Sequence, residues 1–185
     1  MTPFSQFILD NYPEDKLKKG LIGVEVGVFI GTNANYLMNY LPIKRLYLVD
    51  NYKPYYDGGN EHYSQDQMDS FHSTMMMTVV DPRFGIAMPV IQDSVWSAKL
   101  FPDDYFDFVY IDAGHSYDEV MSDMQIWWSK CKSGGIFGGH DYGTVNGEQV
   151  KKAVDDFMKE KIISVPDPSI GMRVGEAMEW AFFKP

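Results

Sequence analysis

Short apolar runs alternate along this chain with segments whose apolar residues recur every three to four positions. The runs predict strands at 20–26, 45–50, near 86–91, 106–111, about 134–139, 162–166 and 178–184. Between them the helical period predicts helices over 33–41, from Ser64 onward, after Ser116, and over 147–160. Thr32 or Asn33 is placed to cap the first of these, and Pro42 to stop it. Ser64 with Gln67, and Ser116 with Glu119, have the spacing of capping boxes. Pro89 cannot donate to a ladder, so the third strand belongs at a sheet edge. Gly134 and Gly135 introduce the fifth strand.

Strands and helices in alternation imply an α/β fold, a mostly parallel sheet with helices on both faces. The 162–184 tail breaks the rhythm with two strands and no good helix between them, which suggests an antiparallel pair at one edge. No repeat or linker divides the chain, so residues 1–185 read as one domain with a helical N-terminal extension over 1–19. Phe4, Phe7 and Ile8 in that extension are placed to cap the site or a partner chain, and a homo-oligomer stays open.

Composition narrows the picture modestly. At 185 residues and 45% hydrophobic, the chain can bury a full core without a disulfide or structural metal, and its one cysteine, Cys131, permits no internal disulfide. A net charge of −10 disfavours a nucleic-acid partner, because phosphates would meet repulsion over most of the surface. No uncharged apolar run approaches the roughly 18 residues of a membrane span, and the start lacks a signal-peptide pattern. A cytoplasmic protein with a small-molecule substrate is the expectation.

The chemistry collects where strands end, and in open α/β sheets ligands bind outside the carboxyl ends of the strands. Gly27 and Gly31 follow the first strand, at a spacing unlike the G-x-G-x-x-G of dinucleotide binders. A nucleoside with an amino-acid tail fits that turn better than a dinucleotide does. Asp50 ends the second strand, where a carboxylate can accept two ribose hydroxyls. Asp93 and Ser94 follow the third strand; a strand-end Asp is also a ready helix cap, and for Asp93 that alternative stays open. Asp112 and His115 follow the fourth, and His140 and Asp141 the fifth. His115 is the candidate general base, since an imidazole titrates near neutrality. The stretch 51–63 is long for a βα connection; Gly58 and Gly59 could hinge it, and its tyrosines could cover a ligand.

Taken in order, Glu25-x-Gly27-x-x-x-Gly31, Asp50, Asp93-Ser94, the 111–117 run and Gly138-Gly-His140-Asp141-Tyr142 resemble class I S-adenosylmethionine-dependent methyltransferases. The nearest resemblance is to small-molecule O-methyltransferases of the macrocin and cephalosporin-biosynthesis type. It implies a Rossmann-like seven-stranded sheet ordered 3-2-1-4-5-7-6, with S-adenosylmethionine as cofactor. It also implies that Glu25, Gly27 and Gly31 hold the methionine end, and that Asp50 takes the ribose. Asp93 and Ser94 would take the adenine, with Asn51 and Asp112 completing the cofactor set. Metal-dependent relatives imply a divalent ion, Mg²⁺ or another, at Asp112, His140 and Asp141. His140 departs from the usual acid there, and an imidazole suits Mn²⁺, Fe²⁺ or Zn²⁺ better than Mg²⁺. The reaction implied is methyl transfer to a small-molecule hydroxyl. Two alternatives remain beside it, an NAD-dependent oxidoreductase and a non-catalytic cofactor-binding module.

Overall fold

In a computed structural model the chain is described over residues 1–56, 62–143, 147–161 and 178–185. Two N-terminal helices, α1 (Pro3–Asn11) and α2 (Glu14–Lys19), precede β1 (Leu21–Val26), α3 (Thr32–Tyr40) and β2 (Ile43–Asp50). A two-stranded ribbon, β3 (Tyr55–Tyr56) with β4 (His62–Tyr63), leads to α4 (Gln65–Met75), which widens into a π turn at Met76–Val80. Then come β5 (Ala87–Ile91), α5 (Ser94–Ala98), β6 (Phe106–Ile111), α6 (Tyr117–Trp128), β7 (Cys131–Gly139), α7 (Glu148–Lys161) and β8 (Trp180–Phe183).

The central sheet runs β5-β2-β1-β6-β7-β8, parallel except for β8, which is antiparallel to β7. This is the expected order with six strands among the described residues, not seven; the strand expected at 162–166 lies outside them. Pro89 sits on edge strand β5, opposite Leu48. The chain works outward from β1 through β2 to β5, then returns to β6, so strand order reverses between β1 and β6. That reversal opens a crevice at the carboxyl ends of these two strands.

Both faces of the sheet are covered. On one, α1 and α3 place Phe4, Phe7, Ile8 and Leu37 against Leu48, Phe108 and Tyr110. On the other, α6 and α7 place Met124, Trp127, Val154 and Phe157 against Val24, Val109 and Phe137. Alternation along β6 divides its side chains between the two cores, which is the pattern of a strand buried on both faces. The N-terminal extension is therefore part of the core: Phe4 meets the rings of Phe108 and Tyr110 edge-on at 5.8 and 4.8 Å.

Two boundaries differ from the sequence reading. β7 starts at Cys131, which pairs with Phe106, and Gly134 (φ 68) takes up a register shift inside the strand. The paired glycines mark a bulge and not a beginning. α3 is capped by neither Thr32 nor Asn33; it follows Gly31 in the left-handed region (φ 81), with no side-chain cap. Both predicted capping boxes are present, at Ser64 with Gln67 and at Ser116 with Glu119. No helix among the described residues is long and apolar enough to cross a membrane.

Candidate active site

The turn after β1 is built by its glycines and by Asp50. Gly27 has φ 86, and a Cβ there would lie 2.0 Å from the carbonyl oxygen of Asp112, so only glycine lets β1 and β6 approach this closely. Phe29 (φ 54) turns the chain so that two successive amides, of Val28 and Phe29, both donate to Asp50 Oδ2 at 2.9 Å. Asp50 Oδ1 accepts from the amide of Tyr52, also at 2.9 Å. The Tyr52 hydroxyl returns to the carbonyl of Phe29, and the Phe29 ring packs on Phe71 and Tyr63. The base of the tyrosine-rich stretch is thus joined to the glycine turn; its hinge glycines, Gly58 and Gly59, lie outside the described residues.

Above the β1–β6 reversal lies a cavity of about 310 Å³. Glu25, Gly27 and Asn33 line one side, and Asp112, His140 and Glu179 are also on its wall. Glu25 is 1% exposed; its Oε1 accepts from Asn33 Nδ2 at 3.3 Å, while Oε2 has no hydrogen-bond partner. A buried acceptor left unsatisfied costs about 1–3 kcal/mol, a reason to expect a donor from a ligand. Burial, with the charge of Asp112, holds the Glu25 carboxyl well above its ordinary range. Burial also raises Asp112, to about 6, with the neighbouring His140 working against it.

Glu179 and Tyr110 were not among the residues singled out from the sequence. Glu179 stands just before β8, and its carboxylate accepts from Tyr110 Oη at 2.8 Å and from the Phe4 amide at 2.7 Å. It joins the last strand, the central strand β6 and the start of α1. The one signal was a single acid beside the apolar Trp180-Ala-Phe-Phe run, where nothing on the surface would ask for it.

Beside the cavity, one ligand atom each of Asp112, His115 and Asp141 lies within 4.8 Å of the others. Asp141 Oδ2 is 3.2 Å from His115 Nε2 and equally 3.2 Å from His140 Nδ1. Asp141 itself is left-handed (φ 61), an uncommon conformation held where two histidines converge on one carboxylate. Burial pushes Asp141 up, but hydrogen bonds from His115 and His140 outweigh it and hold the carboxyl far below its usual range. The hydrogen bond to Asp141 raises His140 to about 9. The compact three-residue group therefore contains His115 in the place expected for His140, which reaches it through Asp141. The loop between β6 and α6 folds back far enough to bring His115 over the end of β7.

The other expected cofactor residues stand apart from the cavity wall. Asp93 Oδ1 caps α5, accepting from the amides of Val95 and Trp96. The Ser94 hydroxyl donates to Asp123 Oδ1 at 2.5 Å and accepts from Trp127 Nε1 at 2.8 Å. Asn51 Oδ1 accepts from the Lys53 amide in a local turn. Asp50 touches the cavity only through the backbone of Val28 and Phe29.

The sequence pattern of the family described as a methyltransferase domain matches residues 24–142. No curated protein sequence matches. Among solved structures, the O-methyltransferase NovP superposes with a TM-score of 0.64 at 14% identity, covering 98% of this chain and 78% of that one. A Staphylococcus aureus protein assigned to the caffeoyl-CoA O-methyltransferases gives 0.59 at 16% identity, with 96% and 78% covered. Spermidine synthase from Thermotoga maritima gives 0.57 at 13% identity, with 97% and 58% covered. At such identities these structures speak for the fold, while the matched segment holds Glu25, the glycine turn, Asp50, Asp112, His115 and Asp141 together. The chain belongs to the methyltransferase-domain family, on the class I S-adenosylmethionine-dependent fold.

Proposed function

We propose that this protein transfers a methyl group from S-adenosylmethionine to a hydroxyl of a small-molecule acceptor. The observation that carries the reading is the meeting of two features at one crevice: the cavity with the unpartnered Glu25 Oε2, and the Asp112–His115–Asp141 group at its side. The cofactor supplies an electrophilic methyl on a sulfonium. The cavity fits its methionine end, because Glu25 and Asp112 offer acceptors to an ammonium, and α3 opens at Thr32 and Asn33 with free amides suited to a carboxylate. Asp50 orders the turn against which the ribose would lie.

For the acceptor, His115 is the group to take the hydroxyl proton, with Asp141 orienting its ring. The same three residues also offer a set of donors to a divalent ion, since two carboxylates and an imidazole suit Mn²⁺, Fe²⁺ or Zn²⁺. A bound ion would lower the hydroxyl pKa and fix its direction, leaving His115 as ligand and not base. Chelation separates these roles. The purified protein would be titrated with S-adenosylhomocysteine, then assayed for S-adenosylhomocysteine release across hydroxyl- and amine-bearing acceptors, before and after exhaustive chelation. Activity that survives chelation supports His115 as base; activity lost and restored by Mn²⁺ or Mg²⁺ supports the metal. No saturable binding of S-adenosylhomocysteine at sub-millimolar concentration sinks the proposal.

A further inference from the structure

Neighbouring strands build the floor of the cavity. Glu25 of β1 pairs with Tyr110 of β6, and Tyr110 with Gly138 of β7, so these three residues stand side by side on the sheet. Two residues beyond Tyr110 and Gly138 come Asp112 and His140, which with Glu179 form the next level of the wall. Tyr110 is buried, yet it lines the cavity, and its hydroxyl donates to Glu179 Oε1 at 2.8 Å. Glu179 Oε2 accepts from the Phe4 amide at 2.7 Å. A phenol has a single proton to give. With that proton committed to Glu179, Tyr110 Oη has only acceptor capacity left, and a ligand group meeting it must be a donor. On the adjacent strand Glu25 Oε2 has no partner at all. Two oxygens able to take a further hydrogen bond therefore stand on neighbouring strands at one level of the cavity.

We propose that Tyr110 Oη accepts a hydrogen bond from the α-ammonium at the amino-acid end of the methyl donor, and that Glu179 is the positioning residue which, by holding the phenolic proton, keeps Tyr110 an acceptor. The inference rests on reading the cavity as the methyl-donor site and adds to it how the free amine is recognised. The phenol is a neutral acceptor, so this recognition depends on the direction of one proton and not on the charge of the wall. A near-isosteric change at Glu179 should then reverse it. In Glu179→Gln the side-chain oxygen must face the Phe4 amide, which can only donate, and the side-chain nitrogen is left facing Tyr110. That nitrogen donates to Oη, the phenolic proton turns toward the cavity, and a donor now meets the ammonium.

Calorimetric titration of the full chain with S-adenosylhomocysteine and, separately, with its analogue bearing hydrogen in place of the α-amino group reads this recognition as a ratio of affinities. The parent is expected to favour S-adenosylhomocysteine by about 10- to 100-fold. Tyr110→Phe, which keeps the ring against Phe4, should narrow that ratio at least about threefold. Glu179→Gln should narrow it at least as much, and both variants should bind the deamino analogue within about threefold of the parent. Residues that served only to tie β8 and α1 to the sheet would weaken both ligands alike and leave the ratio standing. Circular dichroism identifies a variant that does not fold, and the other then decides. Equal binding of the two ligands by the parent, or a ratio unchanged in the folded variants, overturns the proposal and leaves the methyl-donor reading intact. Failure of both ligands to bind the parent overturns that reading itself, and with it this inference.

Discussion

Asp50 ends β2 with three main-chain amides on its carboxylate, those of Val28, Phe29 and Tyr52. It fixes the glycine turn before any ligand arrives. Hydrogen bonds to a charged acceptor are worth about 1.5–3 kcal/mol each, although water can replace part of this at a half-exposed site. Asp50→Ala should therefore lower unfolding stability by about 1–3 kcal/mol and weaken S-adenosylhomocysteine binding more than about tenfold. Urea unfolding and calorimetry would measure the two losses; unchanged binding would remove Asp50 from the cofactor site. His115→Ala should behave differently, keeping cofactor affinity within about threefold while slowing product release by about 10²–10⁴. Asp50, Asp112, His115 and Asp141 were all legible in the sequence because each follows a parallel strand. Glu179 was not, for a geometrical reason. β8 runs antiparallel, pairing Trp180 with Gly139, so its beginning lies at the edge where the other strands end. A search confined to the residues after strands passes over it.

At the scale of elements, the joint between α5 and α6 took residues that the sequence reading had given to the adenine. Asp93 caps α5, the alternative left open from the sequence, and Ser94 is committed to Asp123 and Trp127. Helix ends have unsatisfied amides that compete for any strand-end acid, and here the cap holds it. The capping boxes of α4 and α6 were legible for the same physical reason, being local contacts written in adjacent residues. The start of β7 was misplaced because its first pairing depends on Phe106, a partner distant in sequence. Asp123 is 6% exposed, and burial raises its carboxyl to about 6, the Ser94 hydrogen bond opposing this. With its folded pKa above the unfolded value, Asp123 binds more protons in the folded chain between those two values. Its contribution is thus greatest at low pH and is lost as pH rises through about 6. Asp123→Asn has no charge to bury, so from pH 5 to pH 8 its stability should improve relative to the parent by about 1 kcal/mol. Urea unfolding of both proteins at the two pH values would measure this; a difference independent of pH would contradict the burial argument.

For the whole molecule, the reversal of strand order between β1 and β6 determines where a ligand can enter, and α1 determines how far the cavity is closed. The parallel sheet was legible in the alternation of apolar runs with helical segments, and the edge strand in Pro89, which cannot donate to a ladder; the strand order came from the family resemblance. The insertion of α1 was not, because a short amphipathic helix at a chain end looks the same whether it docks on its own sheet or on another chain. Docking is what Phe4 achieves: it is 1% exposed, lies edge-on to Phe108 and Tyr110, and gives its amide to Glu179. The same few residues thus join the sheet core to the cavity wall, and a change in one should be felt in both. Phe4→Ala should cost about 3–5 kcal/mol through the lost ring and the space it leaves. A domain of ordinary stability, about 5–15 kcal/mol, would remain folded or nearly so. S-adenosylhomocysteine binding should weaken as well, because the helix that carries Thr2 onto the cavity wall loses its anchor. Leu9→Ala, a half-buried position on the same helix, provides the comparison: it should cost less stability and leave binding within about twofold. Binding by Phe4→Ala that equals the parent's, in protein shown by circular dichroism to be folded, would separate α1 from the site and confine it to the core.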